Sequence, residues 1–225
     1  MGYEVHIILD LEFNPSAKEN RDLLRQEIIE IGAVKLTAQM EEIGRFSCFV
    51  KPELNRVVDA SIVRLTGIRT EDVMNARPFE EALRLFSEWV GPGRARICSW
   101  SDNDLRQVLD ECYIKDVPFP ENFGHWMDLQ KVYQYIIRYP LSRSLALHRA
   151  AELLGVSFSS RLAHRAMSDT EVTAEIYRIM CSDGFVARQR AAETAVVTNK
   201  THTTFSVGAE CAEALAALLS SFTAA

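Results

Sequence analysis

The sequence predicts an α/β domain in which a mixed sheet is flanked by helices, and three observations support this prediction. Residues 5–11 form an almost uninterrupted apolar run, as expected of a central strand covered on both faces. Two more strand-like segments follow with short connections, which favours an antiparallel meander. Further along the chain, strand-like segments alternate with helical patterns, so helices are expected to pack on the sheet.

The first half of the predicted domain consists mainly of strands. Residues 14–26 are polar and charged, and they predict a loop or a short exposed helix. Residues 27–36 are apolar and β-branched enough for a second strand, and residues 45–51 alternate as a third strand that Pro52 ends. Residues 39–44 would turn the chain between these two strands.

The second half alternates helices with strands. A helix is predicted to begin at Pro78 and to end before Gly91, because its apolar residues recur at helical spacing. The other predicted elements are strands at residues 95–100 and 126–129 and helices at residues 105–113, 145–154, 162–181 and 210–222. We therefore predict one domain at residues 1–183 and a partly helical extension at residues 184–225. This extension would serve for docking to a protein partner or for homodimerisation.

Composition excludes several classes of protein. The 225 residues carry a net charge of −6, which does not favour broad binding of nucleic acid through a basic surface. No long uncharged apolar run predicts a membrane span, and no basic region precedes an apolar stretch at the N-terminus. The five cysteines are odd in number and lack the spacing of a zinc site. A cytoplasmic protein that does not contact membranes is therefore expected.

Two acidic residues, Asp10 and Glu12, end the first strand. Side chains two positions apart on a strand project from the same face, roughly 7 Å apart along the chain. Like charges at the end of a buried strand repel each other and lose solvation, and a divalent cation between them would relieve both costs. The alternative is that the strand has ended and both carboxylates face water.

A third acid, Asp104, lies where the fourth strand leads into a helix. Ser101 and Asp104 have the spacing of a capping box, so a role in helix capping competes with a role as metal ligand. Asp102 is the neighbouring acid that could take the place of Asp104.

A fourth acid, Asp169, falls on the apolar face of the last predicted helix. An inward carboxylate needs a partner, and Arg165 lies one turn away without following the same face. His164 precedes the acid by five residues, at or just before the start of the helix. In a chain that already contains an Asp-x-Glu strand, this pair favours a catalytic site over a surface histidine.

Together these motifs resemble the DEDDh branch of the DnaQ-like 3′–5′ exonucleases. The resemblance rests on Asp10-Leu11-Glu12, on Asp104 opening a helix, and on the spacing from His164 to Asp169. The segments 28–34 and 65–68 also resemble landmarks of this family, most closely those of the ERI1-like and KapD-like subgroup. After Glu12 the chain continues Phe13-Asn14-Pro15, which departs from the pattern common among relatives.

The resemblance implies an RNase H-like fold with a mixed five-stranded sheet, three antiparallel strands followed by parallel ones. It further implies that Asp10, Glu12, Asp104 and Asp169 hold two Mg²⁺ or Mn²⁺ ions, with Glu12 and His164 counted as catalytic and His164 as the general base. The residues expected to contact substrate are Phe13, Leu65, Thr66 and Asn103. Glu30 is a possible further ligand, although an ion-pair role is preferred.

The implied activity is removal of 5′-mononucleotides from the 3′ end of single-stranded nucleic acid, with RNA favoured. Two alternatives remain open: a DNA exonuclease or proofreading-type subunit, and a binding module of the same fold without catalysis. The preference for RNA rests on the subgroup alone, because recognition of the 2′-hydroxyl cannot be deduced from sequence.

Overall fold

The computed structural model describes residues 3–93, 95–157 and 164–189. Its five strands are β1 (Val5–Pro15), β2 (Gln26–Thr37), β3 (Glu42–Phe49), β4 (Ala95–Ser99) and β5 (Phe123–Asp128). They form one sheet in the order β3-β2-β1-β4-β5. β1, β2 and β3 pair antiparallel, whereas β1 with β4 and β4 with β5 pair parallel. The predicted mixed sheet is confirmed.

Helices connect or cover these strands, and seven of them have both ends within the described residues. They are α1 (Ala60–Thr66), α2 (Thr70–Met74), α3 (Phe79–Val90), α4 (Asn103–Ile114), α5 (Leu129–Ile136), α6 (Leu147–Leu154) and α7 (Ala166–Cys181), and a single 3-10 turn spans Lys18–Asn20. None of the described helices has both the length and the apolar composition needed to cross a membrane.

The central strand β1 separates two apolar cores. Ile7, Leu9 and Leu11 point to the face that α3 and α4 cover. Ile8 points to the opposite face, where α5, α6 and α7 pack. Because side chains alternate along a strand, Asp10 and Glu12 continue the second face, on the side of α7.

Several predicted boundaries and elements were wrong. Helices α1, α2 and α5 were not predicted, because α1 and α2 are too short to show an apolar period and α5 follows directly on β5. α1 depends instead on its ends, since Asp59 caps its first turn and Gly67 ends it at φ +74°. The last helix begins at Ala166, not at residue 162. The helix predicted at 210–222 and most of the extension at 184–225 lie outside the described residues.

Candidate active site

The candidate active site lies at the end of β1, where α7 crosses the sheet. Asp10 and Glu12 on β1 and Asp169 in the first turn of α7 each place a carboxylate oxygen within 4.8 Å of the other two. Four acids were predicted to come together, these three and Asp104, and the structure brings these three within that distance. Cations that prefer oxygen ligands, such as Mg²⁺, are held by groups of this kind.

Helix α7 approaches the sheet closely because β2 has a glycine at the contact. Gly32 pairs with Asp10 across the β1–β2 ladder. A Cβ atom on Gly32 would lie only 2.4 Å from the backbone carbon of Ala166. The hydroxyl of Thr170 donates a hydrogen bond to the Gly32 carbonyl at 2.9 Å. The missing side chain of Gly32 therefore allows the first turn of α7 to reach the ends of the strands.

An ion pair anchors the same end of α7. Glu30 is buried and accepts two hydrogen bonds from the Arg165 guanidinium, at 3.0 and 2.7 Å, and one from the Ala166 N–H at 3.1 Å. The preferred ion-pair role of Glu30 is thus the one observed. Arg165 therefore pairs with Glu30 in the structure, whereas Asp169 was the partner considered from the sequence.

Gly32→Ala should dislodge α7 and lower both stability and activity. The added methyl group must displace backbone, so the free energy of unfolding should fall by about 1–3 kcal/mol or more, as for overpacked sites. Gly44→Ala on β3 is the matched control, because a Cβ there meets only the Trp89 ring at 3.5 Å. Urea unfolding of both variants measures the difference. Equal midpoints would mean that α7 does not pack against Gly32 in solution.

Asp104 lies beside this group, at the second position of α4, and is almost fully buried. Burial raises its pKa to about 7, although hydrogen bonds from the N–H groups of Asp104 itself and of Leu11 act in the opposite direction. The capping box considered from the sequence does not form, since the Ser101 hydroxyl oxygen accepts instead from the Asn103 N–H. Asp104 is therefore positioned by β1 as well as by its own helix.

Asp102, the alternative to Asp104, faces a different environment. Its carboxylate accepts from Lys131 at 2.9 Å and from Arg106 at 2.7 Å. The hydrogen bond from Lys131 is the main reason that its pKa lies below the usual range. Two cations already neutralise this carboxylate, so it is poorly suited to bind a metal ion.

The four acids together create a site with an excess of negative charge. Burial, then the charge of Asp104, then those of Glu12 and Asp169 raise the pKa of Asp10 well above its ordinary value. Burial and the charge of Asp169 raise the pKa of Glu12 to about 8. The buried Oδ1 atom of Asp169 accepts no hydrogen bond within the described part of the chain. Clustered carboxylates and an unused buried oxygen fit a bound divalent cation.

Without metal, the protein should lose stability as the pH rises. The raised pKa values of Glu12 and Asp104 mean that the folded state binds protons more tightly than the unfolded chain, where these groups titrate near about pH 4. Their stabilising effect is therefore complete below about pH 4 and is lost as the pH passes about 7 to 8. Thermal unfolding in excess chelator from about pH 5 to about pH 9 measures this loss of stability.

Glu12→Gln supplies the control for this pH dependence. The neutral amide removes one repelled charge, so the metal-free variant should be more stable than the wild type at about pH 8. Added Mn²⁺ should raise the unfolding temperature of the wild type more than that of Glu12→Gln, since the ion binds deprotonated carboxylates. A wild-type stability that is flat across this range would contradict the electrostatic account of the site.

His164 lies next to the acids at the entrance of α7. Its side chain is exposed, and its backbone has a left-handed φ of +63°. Its N–H donates to the Asp169 Oδ2 atom at 3.2 Å. The backbone of His164 thus helps to orient the Asp169 carboxylate, while its side chain is open to solvent.

The residues predicted to contact substrate differ in their surroundings. Leu65 on α1 and Asn103 on α4 are exposed, whereas Phe13 is half-buried against the core. Thr66 is buried, and its hydroxyl donates to the Ile62 carbonyl inside α1, which is a structural role. Contact with substrate remains a prediction for all four residues.

Sequence reasoning missed most of the contacts that hold the site in place, although it gave Glu30 an ion-pair role. Asn14 is completely buried, donates to the Val57 carbonyl at 3.1 Å and accepts from the Asp59 N–H at 2.9 Å, so it ties α1 to the end of β1. Gly32 and the Glu30–Arg165 pair hold α7. A glycine and an acid inside an otherwise apolar strand were the available signals, but they do not reveal their partners.

Comparison with known proteins assigns this arrangement to a family. The family model described as Exonuclease (RNase_T) matches residues 7–177. ERI1 exoribonuclease 2 of Xenopus laevis is 28% identical over 209 residues, covering 83% of this chain and 30% of that protein. Probable 3'-5' exonuclease KapD of Bacillus subtilis is 26% identical over 179 residues, covering 79% of this chain and 84% of the other. The chain therefore spans about a third of the length of some curated relatives.

Solved structures agree with this family. The nuclease domain of 3'hExo, a DEDDh family member bound to rAMP, superposes with a TM-score of 0.71 at 25% identity and covers 82% of this chain and 94% of its own. The expected RNase H-like fold is confirmed by this neighbour and by the strand order. The family match runs from β1, which carries Asp10 and Glu12, into α7, which carries Asp169. On this match over most of its length, the chain belongs to the RNase_T exonuclease family.

Proposed function

We propose that the protein is a metal-dependent 3′–5′ exonuclease that hydrolyses single-stranded RNA from its 3′ end to 5′-mononucleotides. The convergence of Asp10, Glu12 and Asp169 at the end of β1 carries this proposal. A fold that only needed to be stable would not gather partly buried carboxylates whose pKa values are raised by burial and by one another. This cluster also argues against a binding module without catalysis.

The four acids, including the adjacent Asp104, would hold two Mg²⁺ or Mn²⁺ ions. When bound, the ions would supply positive charge and Lewis acidity where the phosphodiester and the attacking water meet. Charge reversal of this kind explains how a chain of net charge −6 can accept a phosphate. Each Mg²⁺ takes only one or two carboxylates from protein, which suits a set of four acids.

The residues around the acids would position the reactants. The exposed imidazole of His164 would accept the proton of the attacking water as that oxygen bonds to phosphorus. The bond between phosphorus and the 3′ oxygen of the preceding nucleotide would break, that oxygen would take up a proton from water, and the released nucleotide would carry the 5′ phosphate. The Glu30–Arg165 pair and Gly32 would keep Asp169 and His164 at a fixed distance from β1, since both residues lie at the start of α7.

RNA is favoured over DNA by the relatives. Several carry the name exoribonuclease, among them 3'-5' exoribonuclease 1 of Rattus norvegicus at 27% identity over 190 residues. The neighbouring 3'hExo domain is bound to rAMP, a ribonucleotide. A DNA exonuclease is the alternative. The cytoplasmic location and a homodimer or protein partner at residues 184–225 stay predictions.

The decisive experiment follows shortening of matched 5′-labelled RNA and DNA oligonucleotides with Mg²⁺ or Mn²⁺. A ladder that shortens from the 3′ end, faster on RNA, is expected, and excess chelator should abolish it. A 3′-phosphate block should slow it. Shortening that persists in chelator would refute the metal requirement, and insensitivity to the block would refute the 3′ polarity. A faster reaction on DNA would favour the alternative.

A further inference from the structure

A groove of about 560 Å³ opens beside the candidate active site, between α4 and residues 21–26. We call it the α4 groove. Asn103, the residue next to Asp104, lines one end, and Tyr113 lines the other. Tyr113 lies nine positions after Asp104 in the helix, so the groove extends roughly 14 Å from Asp104 along α4.

Buried side chains hold both walls of the α4 groove in place. On one side, Val108 and Cys112 of α4 pack into the apolar core under the sheet. On the other side, Leu24 is buried. The Gln107 amide joins the walls by donating to the Gln26 carbonyl at 2.7 Å. The groove is therefore formed before any ligand arrives.

The groove carries positive charge in an acidic protein. Arg21, Arg25 and Arg106 line it together with two acids, Asp22 and Asp110, so the lining has a net charge of +1 while the chain has −6. Arg25 is exposed and has no ion-pair partner among the described residues. The Arg106 ion pair lies at the surface, where such pairs contribute little and can exchange for a phosphate.

The groove also exposes large side chains that do not pack into the core. Tyr113 is 85% exposed and Leu23 is 54% exposed. An exposed aromatic ring beside arginines is typical of the surfaces on which proteins stack the bases of single-stranded nucleic acid. A protein partner would be expected to find a larger contiguous apolar patch with fewer charges at its centre.

We propose that the α4 groove binds the single strand on the 5′ side of the scissile bond. The 3′ terminal nucleotide would occupy the acid cluster, the preceding phosphates would pass Arg25 and Arg21, and an upstream base would stack on Tyr113. This inference rests on the proposed exonuclease function and extends it. It predicts that substrate affinity increases with oligonucleotide length.

The test compares a dinucleotide with an RNA of about 12 nucleotides, a length within the usual range of single-strand sites. In the full chain, Tyr113→Ala should raise KM for the longer RNA by about 5- to 100-fold, the usual effect of losing one stacked base. Hydrolysis of the dinucleotide should stay unchanged, because it reaches only the acid cluster. Arg149→Ala is the control, since Arg149 lies on α6 across the sheet.

Binding without turnover gives an independent readout. Fluorescence anisotropy of the labelled 12-nucleotide RNA in chelator should show that Arg25→Ala lowers the slope of log Kd against log salt by about 0.7, the value for one lost phosphate contact on a single strand. Arg149→Ala should keep the wild-type slope.

The outcomes separate this inference from the proposed function. If the wild type degrades both substrates but Tyr113→Ala and Arg25→Ala behave like Arg149→Ala, the groove does not bind the strand. If Tyr113→Ala slows the dinucleotide as much as the longer RNA, its role is structural and the inference is overturned. A wild type that hydrolyses neither substrate refutes the exonuclease, while length-dependent binding that Tyr113→Ala weakens would still support the groove.

Discussion

Asp104→Asn should lower the rate of oligonucleotide shortening by more than the roughly 10–100-fold loss that is usual for groups behind the metal ligands. The amide has the shape of the carboxylate, and its oxygen can still accept a hydrogen bond from the Leu11 or the Asp104 N–H group. The start of α4 should therefore remain in place. What disappears is one negative charge beside Asp10, whose carboxylate shares the proposed metal site.

Two measurements and one matched variant test this expectation. The unfolding temperature of Asp104→Asn in chelator should be at least that of the wild type, because a repelled buried charge is gone. Its increase on adding Mn²⁺ should be smaller than in the wild type. Asp102→Asn, which removes a charge that Lys131 and Arg106 neutralise, should keep most activity. Near-normal turnover by Asp104→Asn would assign Asp104 to the packing of α4 alone.

His164→Asn should lower turnover by roughly 10²–10⁴-fold, the usual contribution of a positioned proton acceptor. Asparagine is the sharpest replacement here, because it tolerates the left-handed φ of +63° better than alanine does. It also keeps the N–H that donates to Asp169 Oδ2. The variant therefore removes the imidazole while the carboxylate keeps its orientation.

Single-turnover cleavage at saturating Mn²⁺ distinguishes a catalytic role of His164 from a structural one. The unfolding temperature and its increase with Mn²⁺ should match the wild type, since His164 is not a proposed ligand. His125→Asn, which changes an exposed histidine on β5, should cleave at the wild-type rate. Should His164→Asn also cleave at that rate, the histidine only orients the start of α7, and another group must accept the proton.

Local patterns in the sequence determined the sheet and most of the site. The apolar run of β1 is a local pattern, and so are the alternation and the helical spacing of later segments. Such patterns involve residues that are close in sequence, so they can be recognised without the structure. Asp10 and Glu12 were predicted to share a face because strand geometry alone requires it. Asp169 was predicted to point inward because it shares the apolar face of α7.

Only the tertiary structure decided how these parts meet. Arg165 pairs with Glu30, 135 positions away, although Asp169 was the nearer candidate in sequence. Asp104 and Asp102 differ in surroundings that the sequence does not show, buried backbone for the first and two surface cations for the second. The closeness of α7 depends on one absent side chain at Gly32. Contacts of this kind join segments far apart in the chain, and neither periodicity nor spacing carries information about which segments will pack together.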